Sequence, residues 1–328
     1  MKKLEILLLA AGLVMIAVIA RQTGWQTALG AVSAVGWGFT LVFAQEIVAH
    51  VCNTLGWKYS ITPDMDKALP FNRVLVMRIA GDGINYLTPS ATLAGEWARA
   101  AMMGRHHALE DRVSSVALAK LTQTLAMAVF SIMGLSWVFA AHIDIAALKT
   151  LIGRGGWVLA AIIAVVIALE LRASGAKKEN AGGPATEKET LISKLKSIDK
   201  CMMEYLRQYP GRFALSVWWF FLAYAWGAFE VWLICSLMGL EVGPGMCMLV
   251  ETLSVFVDAI FFAVPAKAGT QEASKTAIFA ALNLGAATGL AFGIVRHMRE
   301  ILWAVTGFGL YYAFRTGGTP LKQEEAAE

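Results

Sequence analysis

Residues 81–99 read GDGINYLTPSATLAGEWAR, an apolar stretch broken by Pro89 and carrying Asp82, Glu96 and Arg99. The pattern recurs. Asp258, Pro265, Glu272 and Lys275 follow Asp82, Pro89, Glu96 and Arg99 at a constant displacement of 176 residues, and Lys120 and Arg296 keep the same register. Of the eight prolines, only Pro89 and Pro265 lie inside long apolar runs. A shared D-x6-P-x6-E-x2-[RK] indicates an internal duplication.

Around these two stretches the chain is 57% hydrophobic and only 16% charged. Soluble domains average roughly 45–50% apolar and 25% charged, so the composition is that of an all-α polytopic membrane protein. Residues 1–20 have a basic start and an apolar core, but no small-residue cleavage site precedes Arg21. They read as an uncleaved first span. Cys52, Cys201, Cys235 and Cys247 show no paired spacing and point to neither a disulfide framework nor a zinc site.

A membrane-crossing helix needs roughly 17–25 mostly apolar residues. Six stretches meet this as full spans: 4–20, 28–51, 113–140, 156–171, 213–238 and 287–311. The proline-broken segments 73–103 and 247–284 fold back as re-entrant helical hairpins. Each half, about 22 Å of helix at 1.5 Å per residue, reaches past the midplane but not comfortably across. Charge supports this. With a cytoplasmic N-terminus and both hairpins returning to their own side, 18 Lys and Arg residues fall inside and three (Arg21, Lys149, Arg154) outside. Three spans then separate the hairpins, so the second enters from the opposite face and the duplication is an inverted repeat. The expected organisation is a first transmembrane half over 1–171, a second over 213–328, and a cytoplasmic linker over 172–212. The linker opens Gly-rich and continues as a basic amphipathic helix suited to an anionic bilayer surface. Trp25, Trp57, Trp137 and Trp157 fall near span ends, as interfacial aromatics do.

A charge at the centre of a span costs about 2.5–3.5 kcal/mol on insertion scales, so interior charges face a cavity or a partner. Here they are numerous. Asp82, Glu96, Arg99, Lys120, Asp258, Lys267, Glu272, Lys275 and Arg296 belong to the repeated segments and their register, and Glu46, Arg78, Glu230, Glu251, Arg299 and Glu300 add to them. One reading is buried ion pairing, Glu96 with Lys120 and Glu272 with Arg296. The other is a substrate site. Pro89 and Pro265 suit the first turn of a second half-helix, whose N-terminus attracts anions through free amides and the positive end of the dipole. Arg99, Lys267 and Lys275 lie within two or three turns and add full charge. An anionic headgroup is the expected guest, with Asn85 beside the first proline. Glu96 and Glu272 would position the cations or carry a counter-moving proton.

Other signals are weaker. His106-His107 with Glu110-Asp111 reads as a solvated connection rather than a metal site. Glu46 and His50, one turn apart, read as a hydrogen-bonded pair. No Walker, G-x-S-x-G or H-E-x-x-H motif occurs, and nothing calls for a cofactor, a metal or a nucleic acid.

Three motifs resemble a known family: N-Y-L-T-P-x5-G-E-x2-R from Asn85 to Arg99, V-P-x3-G-x2-E from Val264 to Glu272, and V-R-H-M-R-E-x6-G from Val295 to Gly307. They are similar to the flippase-like transmembrane domain of lysylphosphatidylglycerol synthases, which has free-standing members, one of them hopanoid-biosynthesis-associated. The resemblance implies an inverted repeat with two re-entrant hairpins and movement of lipid between leaflets. About 17 residues follow the last span, which leaves no room for an aminoacyl-transferase domain and so implies no lysyl-lipid synthesis. Lys267 stands where small apolar residues are expected and marks either a particular substrate or an ion pair.

The function expected is an inner-membrane lipid flippase, both termini cytoplasmic, for an anionic-headgroup lipid of phospholipid, hopanoid-linked or polyprenyl-phosphate type. The alternatives are a lipid-modifying membrane enzyme with Glu96 and Glu272 as acid–base pair, or an accessory subunit of a lipid-biosynthesis complex.

Overall fold

The computed structural model describes residues 25–87, 93–104, 107–140, 198, 200–260, 267 and 269–316. No strand occurs among them; the elements are α1 (Trp25–Val35), a 3-10 turn (Gly36–Gly38), α2 (Phe39–Lys58), α3 (Pro63–Ala68), α4 (Phe71–Leu87), α5 (Leu93–Met102) and α6 (Leu109–Ala140), then α7 (Pro210–Leu237), α8 (Pro244–Ile260), α9 (Thr270–Ala281) and α10 (Ala286–Thr316). Prolines open α3, α7 and α8, where a missing N–H costs nothing.

Among the described residues, three helical stretches are long and apolar enough to cross a membrane: Val32–Lys58, Leu109–Trp137 and Pro210–Leu237. They coincide with the expected spans at 28–51, 113–140 and 213–238. α10 has 31 residues, but Arg296, Arg299 and Glu300 interrupt its apolarity. The expected spans at 4–20 and 156–171 lie outside the described residues.

Both proline-broken segments double back. α5 returns antiparallel along α4: Gly95 lies on Gly81 and Asn85, Arg99 on Asp82, and Arg73 reaches the Met102 carbonyl. α9 turns back beside α8, with Lys275 on Asp258, and then packs closely against α10. The first arm of each hairpin lies antiparallel to the long helix of the other. α4 meets α10 from Arg73–Phe314 through Gly83–Gly307 to Tyr86–His297. α8 meets α6 at Thr252–Gly134 and Gly245–Trp137. The helices preceding the hairpins, α2 and α7, are also antiparallel, from Gly38 on Leu237 through Gln45 bonded to Trp226 to Gly56 on Phe220.

Two apolar cores result. One joins Trp57, Met77, Met102 and Met103 to Phe220 of α7; the other joins Val250, Phe279 and Phe292 to Val35 and Val42. Each core thus borrows a side chain from beyond its own hairpin and long helix, which knits the molecule together. Side chains facing outward are large and apolar, Trp37 at 90% exposure and Ile132 at 68% among them, as a lipid-facing surface requires.

The two ends of the bundle differ in charge. Lys58, Lys67, Arg73, Arg112, Lys200, Arg207 and Arg212 gather at one end. The other, formed by residues 35–38, 238–243 and 282–285, carries Glu241 and no Lys or Arg among the described residues. Residues 200–208 of the expected linker are helical and dock on this basic end, with Tyr205 donating to the Tyr59 carbonyl and Arg212 to the carbonyls of Lys58 and Ile61.

Candidate functional site

In the first hairpin the spacing shared by the two copies of the motif becomes one bonded unit. Arg99, buried, donates to Glu96 at 2.7 Å and also to Asp82. Asp82 accepts a further bond from Arg78 Nε at 3.1 Å. Lys120 of α6 approaches Glu96 at 3.8 Å. Asn85 Oδ1 accepts the Gly95 amide at 2.7 Å, so the start of α5 is capped from inside the hairpin. A Cβ at residue 95 would fall onto the Gly81 carbonyl oxygen and the Asn85 side chain. This contact accounts for the glycine in N-Y-L-T-P-x5-G-E. Pro89 lies outside the described residues.

The second hairpin repeats the central pair: Lys275 donates to Asp258 at 2.9 Å, in the register of Arg99 on Asp82. Lys267 bonds the other Asp258 oxygen at 3.0 Å and Glu300 at 3.1 Å. Its backbone has φ +49°, a left-handed conformation that costs an L-residue about 1–2 kcal/mol; the two carboxylates hold it there. Two expectations are corrected. α9 begins at Thr270 behind Gly269, so Pro265, itself outside the described residues, does not open its first turn. The intervening left-handed residues Lys267 and Gly269 delay the helix. Glu272 does not pair with Arg296; it shares a 2.5 Å hydrogen bond with His297. Arg296 takes Glu251 in a two-pronged pair at 2.7 and 2.9 Å and approaches Glu230 at 3.3 Å. One residue of helix rotation, about 100°, separates these outcomes.

A cavity of about 440 Å³ lies between the hairpins, walled by α2, α4, α6, α7, α8 and α10. Of the expected site residues, Asp82, Asp258, Lys267 and Arg296 line it. Asn85, Glu96, Arg99, Lys120, Glu272 and Lys275 stand outside its wall and support it. Glu46, His50, Arg78, Glu230, Glu251, Arg299 and Glu300 also line it, and residue-by-residue matching of the repeat passed them over as site residues. Arg78 shows why: the position 176 residues on is Ser254. The signal available was its charge inside an apolar run, one turn ahead of Asp82.

Six carboxylates and four Lys or Arg side chains face the cavity. Arg99 behind Asp82 and Lys275 behind Asp258 restore the balance, but unevenly. At the α4 end Arg78 and Arg99 share Asp82. At the α10 end Arg296, Arg299 and Lys267 answer four glutamates, Glu46, Glu230, Glu251 and Glu300, with Arg299 meeting three of them. Glu96 also sits on Arg99, so Arg78 and Arg99 are balanced by Asp82 and Glu96, and the half-exposed Lys120 beside Glu96 gives the α4 end one positive charge in excess. There Arg78 uses only Nε on Asp82, and its terminal nitrogens make no hydrogen bond among the described residues. Glu46 bonds Arg299, not His50, which corrects the expected pair. Among the described residues no three His, Cys, Asp or Glu side chains are grouped to hold a metal ion.

Compared with known protein families, residues 5–309 match the lysylphosphatidylglycerol synthase TM region. Neither the curated proteins nor the solved structures give a match to the chain.

Proposed function

The chain belongs to the lysylphosphatidylglycerol synthase TM-region family, and from that premise we propose that it moves a lipid with an anionic headgroup between the leaflets of the cell inner membrane. The observation that carries this reading is the charged cavity walled by apolar helices. Interior charge is costly unless it meets a partner or a guest, and a polar pocket between two hairpins offers a headgroup a place while its chains stay in lipid. The phosphate would enter at the α4 end, where Arg78 has donors to spare, and Lys267 would bound it from the second hairpin.

An inverted repeat supports alternating access to such a site. The antiparallel packing of α2 on α7, the helices that precede the two hairpins, favours it over a parallel repeat. The exchange of partners, α4 on α10 and α8 on α6, has the same sense. The basic end would face the cytoplasm by the positive-inside rule, and the hairpins would be re-entrant from opposite faces. Transport is favoured over acid–base catalysis by Glu96 and Glu272, because neither lines the cavity: one is held by Arg99 and the other by His297.

The test is reconstitution into liposomes with a fluorescent phosphatidylglycerol whose outer-leaflet copies are bleached by dithionite. Wild-type protein is expected to expose the inner-leaflet fraction. Arg78→Gln should slow this about tenfold or more, the loss of one charge-assisted hydrogen bond, with folding unchanged by circular dichroism. Bleaching that stops at half with active-looking, folded wild-type protein would overturn the reading.

A further inference from the structure

His50 is the one aromatic base on the cavity wall, and the interactions described so far do not use it. It is 7% exposed, and neither ring nitrogen has a hydrogen-bond partner among the described residues. Its ring rests on Trp303 at 4.5 Å between centroids, and Nδ1 stands 3.8 Å from Asp82, near but beyond bonding. A buried polar group left unpaired is destabilising, so an unbonded ring held by an indole on the wall of a polar cavity marks a place where a guest completes the bonding. The charged groups facing it are Asp82 and Arg78 on α4, Arg99 on α5 and Arg299 on α10, with Glu46 on its own helix. α7 adds Glu230, and α6 contributes the neutral Gln123.

We propose that His50 is a headgroup ligand that takes up a proton as an anionic headgroup binds, so that binding at this site is linked to proton uptake. The inference rests on the anionic-headgroup reading above. The guanidinium groups of Arg78, Arg99 and Arg299 oppose a further positive charge on the ring, while Asp82 at 3.8 Å and the more distant Glu46 and Glu230 attract one. A phosphate beside Arg78 cancels part of that opposition and accepts the imidazolium N–H, while the second N–H turns to Asp82. By linkage, whatever favours the protonated ring when the headgroup is present must make the headgroup bind more tightly as pH falls.

The experiment is calorimetric titration of the full chain in nanodiscs of zwitterionic lipid with dihexanoylphosphatidylglycerol, whose phosphodiester does not titrate near neutrality. Repeating it at pH 7 in buffers of different ionisation enthalpy reads the protons exchanged. Wild type is expected to take up a fraction of a proton approaching one per lipid bound, with affinity rising between pH 8 and pH 6. His50→Gln, which keeps one donor and one acceptor, should bind with uptake near zero and affinity flat in pH. Binding by wild type without proton uptake overturns the inference and leaves the headgroup reading standing, and it needs no variant to be seen. Undiminished uptake in His50→Gln assigns the proton elsewhere and overturns it too. No binding of this lipid or of its phosphatidic acid counterpart removes the anionic-headgroup reading, and the inference with it.

Discussion

Lys275 has no exposed side-chain surface, and its one carboxylate partner among the described residues, Asp258, also serves Lys267. Breaking a buried pair from one side strands a charge and costs about 3–5 kcal/mol, whereas removing both members with similar volume is far milder. Asp258→Asn alone, which strands Lys275, should therefore lower the melting temperature of the purified protein by many degrees. Lys275→Met with Asp258→Asn should recover most of the loss, since Lys267 keeps Glu300. A double variant no better than the single would mean that Lys275 is held by packing rather than charge. The same logic explains which site residues could be read from sequence. Asp82, Arg99, Asp258 and Lys275 were legible as interior positions because identical spacing in two places marks a shared geometry. Their pairing across each hairpin was not: Arg99 and Lys275 were expected to hold the headgroup. His50 and Arg78 were not legible as site residues, because what matters in them is an unused nitrogen, and a hydrogen bond left unmade has no sequence pattern.

Elements pack here through close backbone approach rather than through the hydrophobic effect, which lipid weakens between helices. α10 lies on α4 at Gly307, where a Cβ would fall onto the Ile79 carbonyl and Gly83. Gly307→Val should push the helices apart and destabilise by about 1–3 kcal/mol, as overpacking does. Gly309→Val, about 200° around the helix with open space around it, should leave the thermal melt within a degree or so of wild type. Equal effects at both positions would assign the loss to helix propensity and deny the close approach. The hairpins themselves were legible: a proline inside an apolar run of about 30 residues is too short to cross twice and too long for one helix. Where α9 starts was not. Proline marked a helix opening, but Lys267 and Gly269 adopt left-handed backbone, and nothing in the spacing distinguishes a helix that begins at the proline from one that begins five residues later. The ion-pair register failed for a related reason. Arg296 and His297 are adjacent, and only the rotation of α10 against α8 and α9 decides which of them meets Glu272.

At the scale of the molecule the question is whether the two halves are inverted, and the bundle's ends make it measurable. The loop around α3 lies at the basic end with Arg73 and Arg212, and Lys67 there is exposed; the loop after α7 lies at the opposite end, with Glu241 exposed. Both follow the helix that precedes a hairpin. In a parallel repeat they would share a side, whereas antiparallel α2 and α7 put them on opposite sides. Cys52, Cys235 and Cys247 are buried and only Cys201 is partly open, so a Cys201→Ser background leaves little native thiol to label. In right-side-out membrane vesicles a membrane-impermeant maleimide should label Glu241→Cys at once and Lys67→Cys only after permeabilisation, because basic ends stay cytoplasmic. Labelling of both before permeabilisation would sink the inverted arrangement, and with it the alternating exposure of one cavity to two leaflets. Reversed labelling would keep the inversion and overturn only the orientation, placing Arg78 and the positive end of the cavity to receive headgroups from the other side.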